Sequence, residues 1–231
     1  GDPRAHLDRG APGAGRQLIA GAVMTDRGPR VIGGSVGGIE LRWPKTGATR
    51  PTTGKMREAL FSMLQAAQVS FDEVLDLYAG SGALGIEALS RGDGRATFVE
   101  SDRRAAGVIR ENLGRVRFED RGTVVAAKVG RWQPPEGARY TLVLADPPYE
   151  RGTYDDGGAW GAIETTVRGS LAEDAAVVVE HDARQSPPPA LAGLALWRDR
   201  RHGSGAVAIY RPALPGDAVE EASTAGERYD E

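Results

Sequence analysis

The positions of apolar and polar residues along the chain follow two different periods. From Glu73 onward, short runs rich in Val, Leu and Ala are interleaved with longer segments in which apolar residues recur at helical spacing. The strand-like runs are EVLDLYA, ATFVES, GTVVAAKV, YTLVLADPP and DAAVVVEHD, and the helix-like segments include GALGIEALSRG and RRAAGVIRENLGRV. This alternation predicts an α/β fold with a mostly parallel sheet and helices on both faces.

The two ends of the pattern differ from its middle. LALWRDRRHGSGAVAIYRP contains two strand-like runs around a glycine turn, so we expect the sheet to end in an antiparallel hairpin. RVIGGSVGGIELRWP predicts a small N-terminal β-hairpin, and RPTTGKMREALFSMLQAA predicts an amphipathic helix. We therefore expect a flexible arm or extension (1–26), a hairpin extension (27–48), a catalytic domain (49–212) and an acidic disordered tail (213–231).

Composition and charge narrow the possible chemistry. The 231 residues include no cysteine, which excludes disulfides, thiolate zinc sites and cysteine nucleophiles. The net charge of −3 hides an asymmetry, because residues 27–57 contain seven basic residues and one acidic residue. Six acidic residues and one basic residue follow Pro212. The basic region at residues 27–57 favours a polyanionic partner that is contacted from one side. The alternative is that these residues are ordinary solvated surface charge.

The sequence predicts neither a membrane-spanning helix nor a metal site. No apolar run approaches the roughly 20 residues that a membrane helix needs, so we expect a cytoplasmic protein without a membrane partner. The three histidines, His6, His181 and His202, are scattered and have no carboxylate at metal-ligand spacing. We therefore expect no metal site.

A glycine loop follows the first strand-like run of the alternating region. DLYAGSGALG places Gly80, Gly82 and Gly85 in G-x-G-x-x-G spacing at the start of a helix-like segment. Glu100 comes 20 residues after Gly80, where a carboxylate can accept hydrogen bonds from the hydroxyls of a ribose. The pattern indicates a nucleoside-containing cofactor, and the glycines alone fit a dinucleotide, S-adenosyl-L-methionine or a purely structural turn.

Asp76 favours one of these cofactors. It lies four residues before Gly80, at the end of the strand that faces the ligand crevice. A carboxylate there would repel a pyrophosphate but could hold the ammonium of a methionine moiety. The position therefore favours S-adenosyl-L-methionine.

The tetrapeptide Asp146-Pro147-Pro148-Tyr149 follows the fourth strand-like run. The two prolines fix φ and offer no N–H, so the turn presents carbonyl oxygens in a stiff arrangement. A carboxylate beside a carbonyl makes two acceptors, which suit the two hydrogens of an exocyclic amino group. Asp146 could also take up the proton that the amine loses, and Tyr149 could stack on an unstacked base. The alternative is a simple turn with a surface tyrosine.

Four blocks of sequence, in this order and spacing, resemble the bacterial 16S ribosomal RNA guanine-N2 methyltransferases. The blocks are RPTTGKMREALFSML, DLYAGSGALGIEALSRG, FVESD and LADPPY, and the similarity runs from about Arg30 to Tyr210. The resemblance implies a seven-stranded Rossmann-like methyltransferase sheet and S-adenosyl-L-methionine as cofactor. It implies a guanine of 16S rRNA as substrate, in free RNA or in the small ribosomal subunit, and we expect a monomer.

The resemblance also implies roles for individual residues. The catalytic candidates, which would hold the guanine amine, are Asp146, Pro147, Pro148 and Tyr149. The cofactor candidates are Asp76, Tyr78, Gly80, Ser81, Gly82, Glu100 and Ser101, with Arg50, Pro51 and Thr52 closing the site from the N-terminal side. The candidates for RNA contact, on the hairpin that precedes this closing block, are Arg30, Arg42 and Lys45.

One position departs from the family pattern, and rival functions stay open. Lys128 follows the third strand where a short polar residue near the adenine amine is usual, and a lysine cannot accept a hydrogen bond. We therefore expect backbone groups to read adenine. The rivals are a DNA or other RNA amino-methyltransferase, a nicotinamide-dependent oxidoreductase and a non-catalytic RNA-binding assembly protein.

Overall fold

The structure is a computed structural model, and it describes residues 28–44, 54–148 and 158–213. The predicted arm and all but the first residue of the predicted tail lie outside the described residues. Five candidate site residues also lie outside them: Lys45, Arg50, Pro51, Thr52 and Tyr149.

The described chain contains four helices and eight strands. They occur in the order α1 (Gly54–Ala66), β1 (Glu73–Leu77), α2 (Ala83–Arg91), β2 (Arg95–Glu100), α3 (Arg103–Val116), β3 (Gly122–Ala126), β4 (Tyr140–Ala145), α4 (Gly158–Val167), β5 (Leu171–Asp182), β6 (Ala190–Leu191), β7 (Leu194–His202) and β8 (Gly205–Arg211). The alternation that the apolar pattern predicts is therefore confirmed.

All eight strands belong to one sheet, in the order β3-β2-β1-β4-β5-β8-β7-β6. The first five strands of this order are mutually parallel, and β8, β7 and β6 continue the sheet by antiparallel pairing. The predicted sheet and its antiparallel C-terminal hairpin are confirmed. The strand beyond the expected seven is β6, which has only two residues.

Both faces of the sheet are covered by apolar side chains, as a parallel sheet requires. One cluster packs α1, α2 and α3 on the sheet through fully buried residues such as Phe61, Ile86 and Ile109. A second cluster on the other face includes Ile163 and Val167 of α4. The central strands are consequently held rigid from both sides.

The N-terminal segment, residues 28–44, is irregular where a hairpin was predicted. It has one antiparallel bridge, between Arg30 and Glu40, instead of two continuous strands. The reason is that the backbone donors in its middle pair with α2: Ile32 and Gly33 donate to the Glu87 carboxylate, and the Ser35 N–H donates to the Ser90 carbonyl. The segment thus folds back on itself near the bridge, while its middle is docked on a helix.

The third glycine of the loop lets α2 lie directly on the sheet. A Cβ at Gly85 would lie 2.4 Å from Cε1 of Phe98 in β2 and 3.0 Å from Oδ2 of Asp76 in β1. Any side chain here would push the helix away from both strands. The glycine is therefore required by the packing of the helix on the sheet.

Replacing Gly85 with alanine should lower the free energy of unfolding by about 1–3 kcal/mol, because the added methyl overpacks the contact with Phe98. Gly107, in the interior of α3, is the matched control, since a Cβ there would meet no atom of the described residues within 4 Å. Gly107→Ala should stabilise the protein by roughly 0.5–1 kcal/mol. Urea unfolding followed by circular dichroism measures both, and equal effects of the two variants would contradict the packing argument.

Candidate functional site

The candidate site lies where the strand order reverses. From β1 the chain moves outward through β2 to β3, and it then crosses to β4 on the other side of β1. The loops that leave β1 and β4 therefore run in opposite directions and open a crevice at the carboxyl ends of these strands. Leu77 of β1 pairs with Ala145 of β4, so the glycine loop and Asp146 begin side by side.

Asp76 lies at the floor of this crevice. Its side chain is 1% exposed, and its Oδ2 accepts a hydrogen bond of 2.9 Å from the Gly85 N–H. Burial raises the pKa of Asp76 well above its ordinary value, and the charges of Asp146 and Glu100 raise it further, while the Gly85 N–H opposes the shift. The structure thus brings together three acids that the sequence separates by up to 70 positions.

The glycine loop passes over this acid with an unusual backbone. Gly80 and Gly82 have φ of 55° and 77°, and Tyr78 has φ of 57°, which is strained for a residue with a side chain. Among the described residues, a Cβ at Gly80 would meet only the Tyr78 carbonyl, at 3.9 Å. Within the described part of the chain the space beside Gly80 is open to a ligand, and a cofactor at the glycines stays a prediction.

Glu100 connects the glycine loop to the end of β2. Its Oε2 accepts the Gly80 N–H at 2.9 Å, and its Oε1 accepts the Asp102 N–H at 2.8 Å. The hydroxyl of the exposed Ser101 lies 3.4 Å from the same Oε1. The carboxylate therefore fixes the loop and keeps further lone pairs for a ligand.

Ser81 is placed differently from the other loop residues. Its side chain is only 3% exposed, and its carbonyl accepts a 2.9 Å hydrogen bond from Nδ2 of Asn112 in α3. Its part in the site, as the structure describes it, is through the backbone. Asn112 is not among the residues that the sequence predicts for the site.

Asn112 joins two parts of the candidate site. Besides holding Ser81, it accepts the Arg42 N–H at 2.7 Å and donates to the Arg42 carbonyl at 3.0 Å. The signal in the sequence is a polar residue on the buried stripe of α3, between Ile109 and Val116. Such a residue must find partners, and here they lie on the N-terminal segment and the glycine loop.

Glu87 of α2 anchors the N-terminal segment in the same way. Its carboxylate is fully buried and accepts the N–H groups of Ile32 and Gly33 at 2.7 and 2.9 Å, and Arg91 pairs with it at 2.7 Å. The buried Arg57 donates from Nη2 to the Arg30 carbonyl at 2.9 Å. Burial lowers the pKa of Arg57, and the charge of Glu87 opposes that shift.

The proline turn leaves β4 at the crevice. Asp146 is half-buried, Pro147 is buried and Pro148 is exposed. Asp146 is close enough to Asp76 to raise the pKa of that acid. The expected juxtaposition of the turn with the glycine loop is thus present in the described residues, whereas the predicted stacking residue Tyr149 lies outside them.

The predicted RNA contacts on the N-terminal segment are exposed but have acidic neighbours. Arg30 pairs with Glu40 at 3.3 Å, and Arg42 pairs with Glu111 at 2.6 Å. The exposed fractions of the two arginine side chains are 55% and 59%. Exposed pairs of this kind are weak and can exchange for phosphate, so RNA contact by these residues stays a prediction.

Lys128, the departure from the family pattern, is exposed just beyond β3. The backbone N–H of its neighbour Ala127 donates to the Glu100 carbonyl.

Within residues 28–44, 54–148 and 158–213, the structure contains no group of three or more side chains that could hold a metal ion. None of the helices in these ranges is both long and apolar enough to cross a membrane.

The fold and the crevice define a class of protein. A five-stranded parallel sheet extended by an antiparallel hairpin, with a glycine loop after β1, an acid at the end of β2 and an Asp-Pro-Pro turn after β4, is the architecture of a Rossmann-like methyltransferase. The family described as Conserved hypothetical protein 95 matches residues 29–211. The chain belongs to this family.

Curated relatives and solved structures agree with this assignment. The Ribosomal RNA small subunit methyltransferase D of Escherichia coli K12 is 33% identical over 82% of this chain and 92% of its own length. YlbH of Bacillus subtilis strain 168 is 34% identical over 79% of this chain and 98% of its own length. The solved structure of yhhF from Escherichia coli has a TM-score of 0.65 at 32% identity and covers 80% of this chain and 99% of that chain. The family resemblance drawn from the four sequence blocks is confirmed.

The raised pKa of Asp76 predicts that its charge destabilises the ligand-free protein. Because the pKa is higher in the folded chain than in the unfolded one, the stabilisation is present at low pH and is lost as the pH rises above about 3.9. Asp76→Asn, which can still accept the Gly85 N–H, should therefore raise the Tm increasingly from pH 4 to pH 7. A pKa raised by one unit is worth about 1.4 kcal/mol, or about 2–4 °C in Tm.

Thermal unfolding at a series of pH values measures this effect. Asp174→Asn, at an exposed acid near the start of β5, is the control and should show no such trend. A Tm gain for Asp76→Asn that is equal at pH 4 and pH 7 would show that the buried charge is not its cause.

Proposed function

We propose that this chain transfers a methyl group from S-adenosyl-L-methionine to the exocyclic N2 amine of a guanine in 16S ribosomal RNA. The observation that carries the proposal is the position of Asp146 and its proline turn at the crevice, beside the acid-lined glycine loop. Membership of a family whose Escherichia coli relative is named for methylation of small-subunit ribosomal RNA supports the substrate class.

The residues around the glycine loop fit this cofactor. The open space at Gly80 admits a ligand against the backbone, and Glu100 has lone pairs left for ribose hydroxyls. Asp76 suits an ammonium group, because a nearby cation would lower its raised pKa and stabilise the buried carboxylate. The positive charge would thus offset the cost that the ligand-free site carries. When bound, the cofactor supplies an electrophilic methyl group.

In this proposal the proline turn binds the amino group that receives the methyl group. The Asp146 carboxylate and the carbonyl of Pro147 accept the two amine hydrogens, and this grip directs the nitrogen lone pair along one line. As the nitrogen gains a methyl group it loses a proton, and the Asp146 carboxylate is the group placed to accept it. Pro147 and Pro148 keep the acceptor pair stiff, which reduces the reorganisation that alignment requires.

The remaining candidate residues complete the site in this proposal. Tyr149 stacks on the unstacked guanine, and Arg50, Pro51 and Thr52 close the crevice from the N-terminal side. Support comes from α1, which begins at Gly54 directly after this block and is tied to the N-terminal segment by Arg57. Arg30, Arg42 and Lys45 contact the RNA backbone, and Arg30 and Arg42 exchange their acidic partners Glu40 and Glu111 for phosphates.

Labelled S-adenosyl-L-methionine and small ribosomal subunits that lack the modification test the activity. The expected result is label in 16S rRNA, at one guanine whose digestion product co-migrates with N2-methylguanosine. Naked 16S rRNA in a parallel reaction distinguishes free RNA from the assembled subunit as substrate. Label on adenine or cytosine, or no label on RNA, would overturn the proposed acceptor.

Asp146 and Glu100 should fail in different ways when replaced. Asp146→Ala should reduce kcat by on the order of 10²–10⁴-fold and leave the Kd for the cofactor nearly unchanged. Glu100→Ala should instead weaken cofactor binding by roughly 10–100-fold, because a charged hydrogen-bond acceptor is lost. Calorimetric titration with S-adenosyl-L-homocysteine and steady-state rates separate the two, and each variant is the other's control. Normal turnover by Asp146→Ala would refute its role.

A further inference from the structure

The end of β7 together with its turn into β8, residues 198–205 and here called the basic turn, returns to the same edge of the sheet as the candidate site. Ala145, the last residue of β4, pairs with Val179 of β5. The next residue of β5, Glu180, pairs with Val207 of β8, and Val207 pairs with Arg200 of β7. Arg200 is thus level with Asp146 along the strand direction. It stands three strands away, or about 14–15 Å at the usual strand spacing.

This turn is rich in arginine. Arg198–His202 contains three arginines and one aspartate, and Arg200, Arg201 and His202 are exposed. The guanidinium of Arg198 lies over the ring of Trp197, 4.8 Å from its centre, and is thereby held against the sheet. A guanidinium has five donor hydrogens, so the partner that Arg200 has within the protein leaves donors for a phosphate.

The acids close to the turn are engaged. Asp199 lies 3.1 Å from Nε2 of the buried His181, and this contact reaches from β5 to β7 across β8. Asp182 forms an ion pair with Arg184, which lowers the pKa of Asp182. Glu180, the third acid at this edge, also has an interaction partner. The pairing of His181 with Asp199 additionally braces the turn, because it ties β7 to the central part of the sheet.

We propose that this basic turn, with Arg200 and Arg201 as its principal cations, binds the phosphate backbone of the RNA next to the target nucleotide. The proposal rests on the proposed function for the choice of RNA. A distance of about 14–15 Å from Asp146 is too long for contact with the target base. It suits backbone contact at neighbouring nucleotides, which positions RNA without reading its sequence.

Equilibrium binding to 16S rRNA transcribed in vitro tests the turn directly. The double variant Arg200→Gln/Arg201→Gln should weaken binding about tenfold near physiological salt, and should reduce the slope of log K against log[KCl] by roughly 1.4–1.8. In methyl transfer, KM for RNA should rise by a similar factor while kcat and the Kd for S-adenosyl-L-homocysteine stay unchanged. Unchanged cofactor binding also shows that the variant is folded.

Two further variants distinguish an effect of the charge at Arg200 and Arg201 from a general effect of lost charge or altered side chains. Arg139→Gln/Arg168→Gln removes the same charge from exposed positions at the opposite edge of the sheet, and it should leave RNA binding and the salt slope at wild-type values. Arg200→Lys/Arg201→Lys keeps the charge and should keep the salt slope. Equal losses in the two glutamine variants, losses in the lysine variant as large as in the glutamine one, or wild-type binding by Arg200→Gln/Arg201→Gln would each overturn the proposal.

The outcome is distinguishable from failure of the proposed function. RNA binding that depends on Arg200 and Arg201 without methyl transfer by the wild type would retain the docking surface and refute the reaction. Methyl transfer that does not depend on Arg200 and Arg201 would support the reaction and refute the docking surface. RNA binding by the wild type that is absent with naked 16S rRNA and also with small ribosomal subunits would refute both.

Discussion

The crowding of three carboxylates at the reversal of strand order is the constraint on which the site depends. Glu100 and Asp146 both repel the charge of Asp76, which is buried. Backbone N–H groups from the glycine loop and α2 hold two of them, through Gly80 on Glu100 and Gly85 on Asp76. The loop must therefore keep its left-handed turns and its close approach to β2, since another path would withdraw these donors. A site with this excess of negative charge is matched to a cationic ligand.

Two buried polar side chains extend this constraint to the N-terminal segment. Glu87 holds the backbone at 32–33, and Asn112 holds both the backbone of Arg42 and the carbonyl of Ser81. Breaking either contact would leave buried polar groups without partners, which costs more than the hydrogen bond itself contributes. The segment that carries candidate RNA-binding arginines is thus connected through one asparagine to the loop that carries the cofactor candidates. A shift of the segment would therefore disturb the glycine loop that borders the crevice.

The local signals in the sequence were sufficient for the sheet and for the crevice. The period of apolar residues and the positions of Gly and Pro located the alternating elements. The glycine loop, Glu100 and the Asp-Pro-Pro turn each lie at the end of a strand that could be predicted. The contacts made by Glu87 and Asn112 could not be predicted, because they join positions 54 to 70 residues apart whose pairing no local period encodes. The same contacts explain why the N-terminal segment is irregular: the N–H groups of Ile32, Gly33 and Arg42 are used by α2 and α3 and are not available to a longer strand pair.

Strand direction also decides where basic residues can meet a bound polyanion. Because β8 is antiparallel to β5 and β7 is antiparallel to β8, β7 runs in the same direction as the five parallel strands and ends at the same edge. Its turn must therefore emerge beside the crevice, whatever its sequence. The N-terminal segment lies over α2 and α3, which belong to the half of the sheet on the other side of β1. Positive charge consequently flanks the acid-lined crevice from both halves, and an RNA strand drawn across it would pass the Asp146 turn between two backbone contacts.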